Sequence, residues 1–356
     1  MNCLFLISDE GSGHTVRQSC IANELIRRGA NVVFQCKDPV HFAKKVLDSR
    51  IKIHERFNLI RLIKQKEGVN IDETYKFFND YIKKSKEWIN NNVKSTVFQN
   101  TDLIVTDIVE ESGIIAKKLN KPVIAITHFT WHWLLKELDP KFTEIAEYLE
   151  DCLSGITRFL FPPFSKHSER FPNATPINLI VRKPRSRPIV RKELKVQDDE
   201  IMVLFSGGLT SVWNEAFSLL NGIKNKEIFL FSNRYMGSQK IKIVDNPFNL
   251  HDYINASDLV VSRGGFGTIS ETLAFGVRHL ILLEKNHPEA IENARLLKSA
   301  NRAIVKSLKD FLSDPYGIIE ECLETRLELS QMECNGHLQA IDKIYELYNS
   351  TKVLFP

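Results

Sequence analysis

Tryptophan and methionine are scarce in this chain, four residues each among 356, and cysteine is limited to six. Cys3, Cys20, Cys36, Cys152, Cys322 and Cys334 are scattered and form no CxxC pair. That spacing argues against a disulfide-stapled scaffold and against cysteine-ligated zinc; it points to reduced, packed thiols and a cytoplasmic location. Other metal-ligand patterns are missing as well. There is no HExxH and no DxD, and the acidic run Asp198-Asp199-Glu200 reads as an exposed turn, so no metal is expected. Without a GxxxxGK[ST] loop, phosphoryl transfer loses its usual handle, and without GxSxG there is no nucleophile elbow for serine hydrolysis. No apolar run reaches the ~20 residues that span a bilayer. Insertion is therefore not expected, while peripheral membrane contact stays open. The chain opens on a strand rather than on a basic segment followed by an apolar leader. Charge of one sign is also lacking: 48 Lys and Arg against 44 Asp and Glu leave +4. No nucleic-acid partner is expected from so mild a balance without a fold signature to support it.

What is present is ordinary globular chemistry, 43% hydrophobic, at a length that favours two domains. Cys3–Ser8 reads as a strand, Asp9–His14 as a glycine loop, Val16–Arg28 as a helix stopped by Gly29, and Val32–Cys36 as a second strand. This is the opening of a doubly wound α/β sheet. The loop is not GxGxxG, and no acid ends the second strand, which weakens a nicotinamide reading. Between about 57 and 100 the chain is lysine-rich, with Tyr75, Phe78, Ile82, Ile89 and Val93 at roughly helical spacing. Strands resume at Leu103–Thr106 and Pro122–Ile126, and a helix at Glu111–Leu119. Residues 181–199 are basic and contain two prolines, which reads as an interdomain linker between domains 1–180 and 200–334. Residues 335–356 form a last helix striped by Leu338, Ile341, Ile344 and Leu347.

Candidate chemistry collects after strand ends. His14 follows the first strand, and Asp107 ends another. The pair reads two ways: a base with the carboxylate that orients it, or two helix caps. His128, Trp131, His132 and Trp133 read equally as an acceptor pocket or as packing. The strongest signal is Asp258–Gly276, DLVVSRGGFGTISETLAFG, a short apolar strand breaking into a glycine-rich turn and a helix beginning near Thr268. Unpaired amides at such a helix start suit a diphosphate, with Arg263 as counter-charge. Glu271, one turn further, suits hydroxyls, although a cap inside its own helix competes. Ser206-Gly207-Gly208 adds a second close-approach turn, and His287 and Glu289 follow another strand.

The segment from Ser262 to Glu271, SRGGFGTISE, followed by TLAFG, resembles the donor site of nucleotide-sugar glycosyltransferases of the GT-B fold. Within them it is most similar to the peptidoglycan N-acetylglucosaminyl transferase, where an arginine also begins the segment. The stretches Val105-Thr-Asp107, Pro122–Trp133, Phe161-Pro-Pro-Phe164, Ile180–Pro184 and Leu250–Asp258 look closest to the glycosyltransferase-like domain at the front of plant L-arabinokinases. The resemblance covers roughly residues 1–305. It implies two Rossmann-like domains facing each other across a cleft, with the last helix packing back on the first. It also implies an inverting, metal-independent transfer from a nucleotide-diphosphate sugar, most often a UDP-sugar, to an acceptor hydroxyl. The site residues so implied are His14 as base with Asp107 as partner and Gly13 in the first glycine loop. On the donor side they are Gly207, Gly208, Arg263, Gly265, Gly267, Thr268, Glu271, His287 and Glu289. One departure is plain: the family's Asp-Gln pair reads here Glu289-Ala290, and Ala290 cannot hydrogen-bond. That leaves a nucleotide-sugar hydrolase, an epimerase and a non-catalytic binding protein as alternatives.

Overall fold

The computed structural model describes residues 1–8, 10–36, 40–55, 60–65, 68–165, 171, 173–206, 228–232, 241–244, 247–283 and 285–354. The chain divides into two compact units. One comprises Met1–Ile63, Val69–Ile180 and Glu333–Pro356, the other Lys64–Gly68 and Val181–Met332.

The strands of the first unit's sheet are β1 (Asn2–Ile7), β2 (Asn31–Cys36) and β3 (Lys52–Glu55), followed after two short strands by four more. The short ones are β4 (Lys64–Gln65) and β5 (Gly68–Val69); the rest are β6 (Leu103–Asp107), β7 (Val123–Ile126), β8 (Arg158–Phe161) and β9 (Ala174–Pro176). Their order is β3-β2-β1-β6-β7-β8-β9, all parallel. Parallel pairing needs helical crossovers that cover both faces, which is why β1 is a continuous apolar run rather than an alternating one. Cys3, Phe5 and Ile7 enter one core with Ile21, Ala22 and Leu25 of the helix Ser12–Arg27 and with Ile341, Ile344 and Leu347 of the helix Gly336–Leu354. Leu4 and Leu6 enter the other, against Trp88, Phe98, Ile115 and Phe159. The lysine-rich stretch forms one amphipathic helix, Ile71–Asn92, capped by Asn70, which accepts from Glu73 N at 3.1 Å. Phe78 and Tyr81 of that helix bury a third core with Trp131, Trp133 and Phe142.

The second unit repeats the plan with β10 (Ile201–Ser206), β11 (Ile228–Ser232), β12 (Ile241–Ile243), β13 (Leu259–Ser262), β14 (Arg278–Leu283) and β15 (Ile304–Ser307). The order β12-β11-β10-β13-β14-β15 is again parallel throughout. In each sheet the order reverses once, between β1 and β6 and between β10 and β13. Beyond such a switch point the carboxyl ends of the strands open a crevice.

The basic stretch 181–199 is not a solvated linker, as its composition suggested, but a built part of the second unit. Its proline Pro188 opens a helix, Arg187–Leu194, where a missing N–H costs nothing. The arginines are consumed internally. Arg185 donates to Asp252 from N and Nε, both at 2.8 Å, and Arg187 bonds Asp258 and the Ser257 carbonyl. Arg191, only 2% exposed, reaches the Ala256 and Gln197 carbonyls and Asp258. Most of the groups that pair with this charge lie 65–71 residues away, which local composition does not show.

Candidate active site

Two clusters stand at the two switch points, and each belongs to one unit. In the first unit His14 lies inside the opening turn of the helix Ser12–Arg27 rather than in a flexible loop, and half-buried Gly13 precedes it in that turn. Gly11 is the N-cap, with no side-chain cap bond, so His14 does not cap the helix; the N-cap position of the helix Glu111–Leu119 is Glu110, not Asp107, and it too makes no side-chain cap bond. His14, Arg17 and Gln18 are spaced i, i+3, i+4, which places them on one face, and β1–β6 register brings the fully buried Asp107 to that face. His14 Nδ1 lies 3.0 Å from Asp107 Oδ1. Arg17 donates to the same carboxylate from Nε at 3.0 Å and from Nη2 at 2.7 Å to each oxygen. Gln18 Nε2 donates to Oδ2 at 2.9 Å and to the Ile126 carbonyl at 3.0 Å. Burial alone would push the Asp107 carboxyl up; the Arg17 guanidinium and His14 outweigh it and hold the group well below the usual carboxylate range.

His128 joins this cluster. Its Nδ1 is 3.1 Å from Arg17 Nη1, and since arginine only donates, that nitrogen accepts and the neutral ring carries its proton on Nε2. Its ring stacks on His14 with centroids 5.7 Å apart. Trp131, His132 and Trp133 are 0, 3 and 5% exposed, and both tryptophans lie in the core under the Ile71–Asn92 helix. For the two tryptophans the structure shows packing.

In the second unit β13 ends at Ser262 and the helix Phe266–Phe275 begins with Gly265 as its N-cap, which offers no side chain to the first amides. The helix starts two residues earlier than Thr268, so exposed Gly267 and half-buried Thr268 sit in its first turn. Thr268 Oγ1 is 3.4 Å from Ser206 Oγ, which ties the ends of β10 and β13 together. Gly207 and Gly208 lie outside the described residues. Arg263 is half-buried, and burial pulls its guanidinium down to about 10. Glu271 is 7% exposed and has no hydrogen-bond partner among the described residues. Burial pushes its carboxyl up to about 7; the charge of Arg182 opposes that rise and the charge of Asp252 adds to it. The cap alternative for Glu271 has no bond to support it.

His287 caps the helix Pro288–Ser299, its Nδ1 accepting from Ala290 N at 3.4 Å, and burial pulls its pKa down to about 4. Glu289 Oε1 accepts from Asn293 Nδ2 at 3.4 Å, and the same amide donates to the Gly264 carbonyl at 3.2 Å. Ala290 is buried and faces the Gly264 turn: a Cβ built on Gly264 would lie 3.9 Å from its methyl. Arg17, Gln18, Ser262, His279 and Asn293 escaped the sequence reading. Only the i+3 and i+4 spacing from His14 offered a signal, and only for the first two.

Two parallel sheets of this order, each with polar side chains at its switch point, define the GT-B architecture of two Rossmann-like domains. The comparisons agree. Residues 213–347 match the family model described as the glycosyltransferase family 28 C-terminal domain. Over 289 residues the chain is 24% identical to an L-arabinokinase of Arabidopsis thaliana, covering 77% of this chain and 27% of that protein. It is 28% identical over 166 residues to the UDP-N-acetylglucosamine–N-acetylmuramyl-(pentapeptide) pyrophosphoryl-undecaprenol N-acetylglucosamine transferase of Thermoanaerobacter sp. (strain X514), covering 44% of this chain and 42% of that one. The chain thus spans less than half the length of either relative. Among solved structures, the spinosyn rhamnosyltransferase SpnG complexed with thymidine diphosphate aligns with a TM-score of 0.65 at 13% identity, covering 98% and 96% of the two chains. The chain has the GT-B fold, and its likeness to glycosyltransferase family 28 covers residues 213–347. No helix among the described residues is long and apolar enough to cross a membrane.

Proposed function

We propose that this protein transfers a sugar from a nucleoside-diphosphate sugar to an acceptor hydroxyl, with inversion and without a metal ion. The observation that carries the reading is Glu271, a buried carboxylate with no hydrogen-bond partner among the described residues, one turn beyond a glycine turn that begins with Arg263. Burying such a group costs free energy unless a ligand supplies donors, and the vicinal hydroxyls of a ribose supply two. The amides opening the helix Phe266–Phe275, with Arg263, take the diphosphate. UDP is the preferred nucleotide by likeness to the N-acetylglucosamine transferase; the thymidine diphosphate in the SpnG complex keeps dTDP beside it.

His14 Nδ1 lies 3.0 Å from both Asp107 Oδ1 and Arg17 Nη2; this reading takes the tautomer that donates Nδ1–H to Asp107, which leaves the Nε2 lone pair to take the proton of the acceptor hydroxyl. The acceptor oxygen then bonds the anomeric carbon from the face opposite the diphosphate. The bond from that carbon to the diphosphate breaks with its electron pair, and Arg263 and the helix amides stabilise the charge that leaves. The free thiols, four of them buried, fit a cytoplasmic location within the same proposal.

The test is a thermal-shift screen of the full chain against UDP, dTDP, GDP and ADP and their common sugars. A ligand that binds the folded state raises its stability, by about 2.7 kcal/mol at a hundred times Kd. One diphosphate is expected to give a shift that Glu271→Ala and Arg263→Ala abolish. Silence with all of them removes the transferase reading. A second reading, hydrolysis or epimerisation of the donor, rests on Ala290, whose methyl packs toward the Gly264 turn and contacts no sugar hydroxyl by hydrogen bonding. Incubation without acceptor separates the two: free sugar or an epimerised donor favours the second.

A further inference from the structure

A buried histidine that neither cluster's chemistry uses lies directly beneath the glycine turn. His279, on β14, is 1% exposed, and burial pulls its pKa down to about 3, so the ring is neutral. Its Nε2 is 2.7 Å from Ser262 Oγ, and its Nδ1 is 3.1 Å from Thr272 Oγ1. The protons on this path follow from counting donors. Thr272 Oγ1 lies 3.0 Å from the Ile269 carbonyl, which only accepts, so the single hydroxyl proton of Thr272 is spent there. Thr272 therefore accepts from His279 Nδ1–H. A neutral imidazole with its proton on Nδ1 accepts at Nε2, so Ser262 donates to it. The lone pairs of Ser262 Oγ are then left to accept the Gly264 N–H, 3.1 Å away. The relay runs without a break from Gly264 through Ser262, His279 and Thr272 to Ile269 in the following helix.

Gly264 adopts φ +78°, a conformation side chains rarely take, and is held from both sides. Its N–H is fixed by the relay and its carbonyl by Asn293 Nδ2 at 3.2 Å. Peptide groups here are trans, so a pinned Gly264 carbonyl turns the Gly265 N–H away from Asn293. The Ser262 bond holds the peptide that enters Gly264 and the Asn293 bond holds the one that leaves it, so the backbone leading into the helix Phe266–Phe275 is fixed on both sides of Gly264.

We propose that His279 is a positioning residue for diphosphate binding: through Ser262 it orients the Gly264 peptide, and with it the amides that receive the phosphates. This rests on the donor-site reading above. It assigns the relay to the diphosphate and not to the nucleoside, whose ribose is assigned to Glu271.

The experiment compares UDP and dTDP, by titration calorimetry, with uridine and thymidine, by ligand-observed NMR. The proteins are the full-length parent, His279→Phe, Ser262→Ala and Ser262→Thr. Because His279→Phe alters a fully buried site and can impair folding, Ser262→Ala carries the test independently. Loss of one orienting hydrogen bond is expected to weaken the diphosphate roughly tenfold while the nucleoside stays within about twofold. Ser262→Thr, which keeps the hydroxyl, is expected to restore diphosphate affinity. If both variants bind the diphosphate as the parent does, the relay has no positioning role. Equal loss of diphosphate and nucleoside marks general damage and overturns the inference as well. A parent that binds neither diphosphate removes the donor-site reading itself, and this inference with it.

Discussion

Single residues here carry opposing demands of stability and binding, and Glu271 shows it in its sign. Its carboxyl titrates near pH 7 when folded against 4.5 as an ordinary group, so the folded protein holds the extra proton between those values. Its contribution to stability is fully present below pH 4.5 and is lost as pH rises through about 7. Above that, the buried carboxylate costs up to about 3 kcal/mol at 1.36 kcal/mol per pKa unit. Glu271→Gln is therefore expected to raise the melting temperature at pH 8, to leave it nearly unchanged at pH 4, and to abolish the diphosphate shift. A variant that is destabilised at pH 8 would give the carboxylate a structural role instead. Arg17 presents the reverse case. Removing it strands Asp107, fully buried and held ionised, so Arg17→Met is expected to cost about 3–5 kcal/mol in denaturant unfolding. Arg17→Met with Asp107→Asn is expected to recover much of that loss, since the stranded charge goes with the second change.

At the scale of elements, the doubly wound order was legible because buried parallel strands are short apolar runs, and β1, β6, β7, β10 and β13 are such runs bounded by polar turns. β8 and β9 were not, since Arg158 and Pro176 interrupt the pattern at their ends. The linker misreading has the same root: arginines look solvated until Asp252 and Asp258 arrive from a distant helix and strand start. The glycine turn was legible because a strand that breaks sharply into a helix needs glycine where φ is positive, as at Gly264. The relay beneath it was not, because His279 lies 17 residues from Ser262 and meets it only through β13–β14 pairing. A packing demand equally hidden in the sequence joins the helices Glu111–Leu119 and Thr143–Leu153. A Cβ on Gly113 would stand 2.1 Å from the Cys152 carbonyl oxygen, and one on Gly155 would stand 2.0 Å from the Gly113 carbonyl oxygen. Both neighbours are backbone and cannot step aside. Gly113→Ala is expected to lower stability by about 1–3 kcal/mol, as overpacking does, with no change in nucleotide affinity once folded. An unchanged melting temperature would mean the two helices separate freely.

For the whole molecule, the two halves of the proposed reaction reside in separate units, each with its own sheet and switch point. His14 and Asp107, the proposed base and its partner, belong to the first unit, and Arg263, Thr268 and Glu271 to the second. Binding of the donor and activation of the acceptor should then fail independently. His14→Ala removes the proposed base but no diphosphate contact, so its thermal shift with the preferred diphosphate is expected to match the parent's. Its kcat should fall by about 100-fold or more, the usual weight of a positioned base. Glu271→Ala is expected to do the opposite first: the shift disappears, and turnover, where measurable, requires far higher donor concentration. Loss of donor binding in His14→Ala would contradict this division and make His14 a donor ligand. Full turnover in His14→Ala would remove the base assignment and leave activation of the acceptor to another group. The stereochemical outcome checks the same division from the product side. One displacement with the proton taken by His14 inverts the anomeric centre, so NMR of the first product formed is expected to show the configuration opposite to that of the donor. Retention would require two displacements or a front-face path, and would overturn the single displacement proposed here.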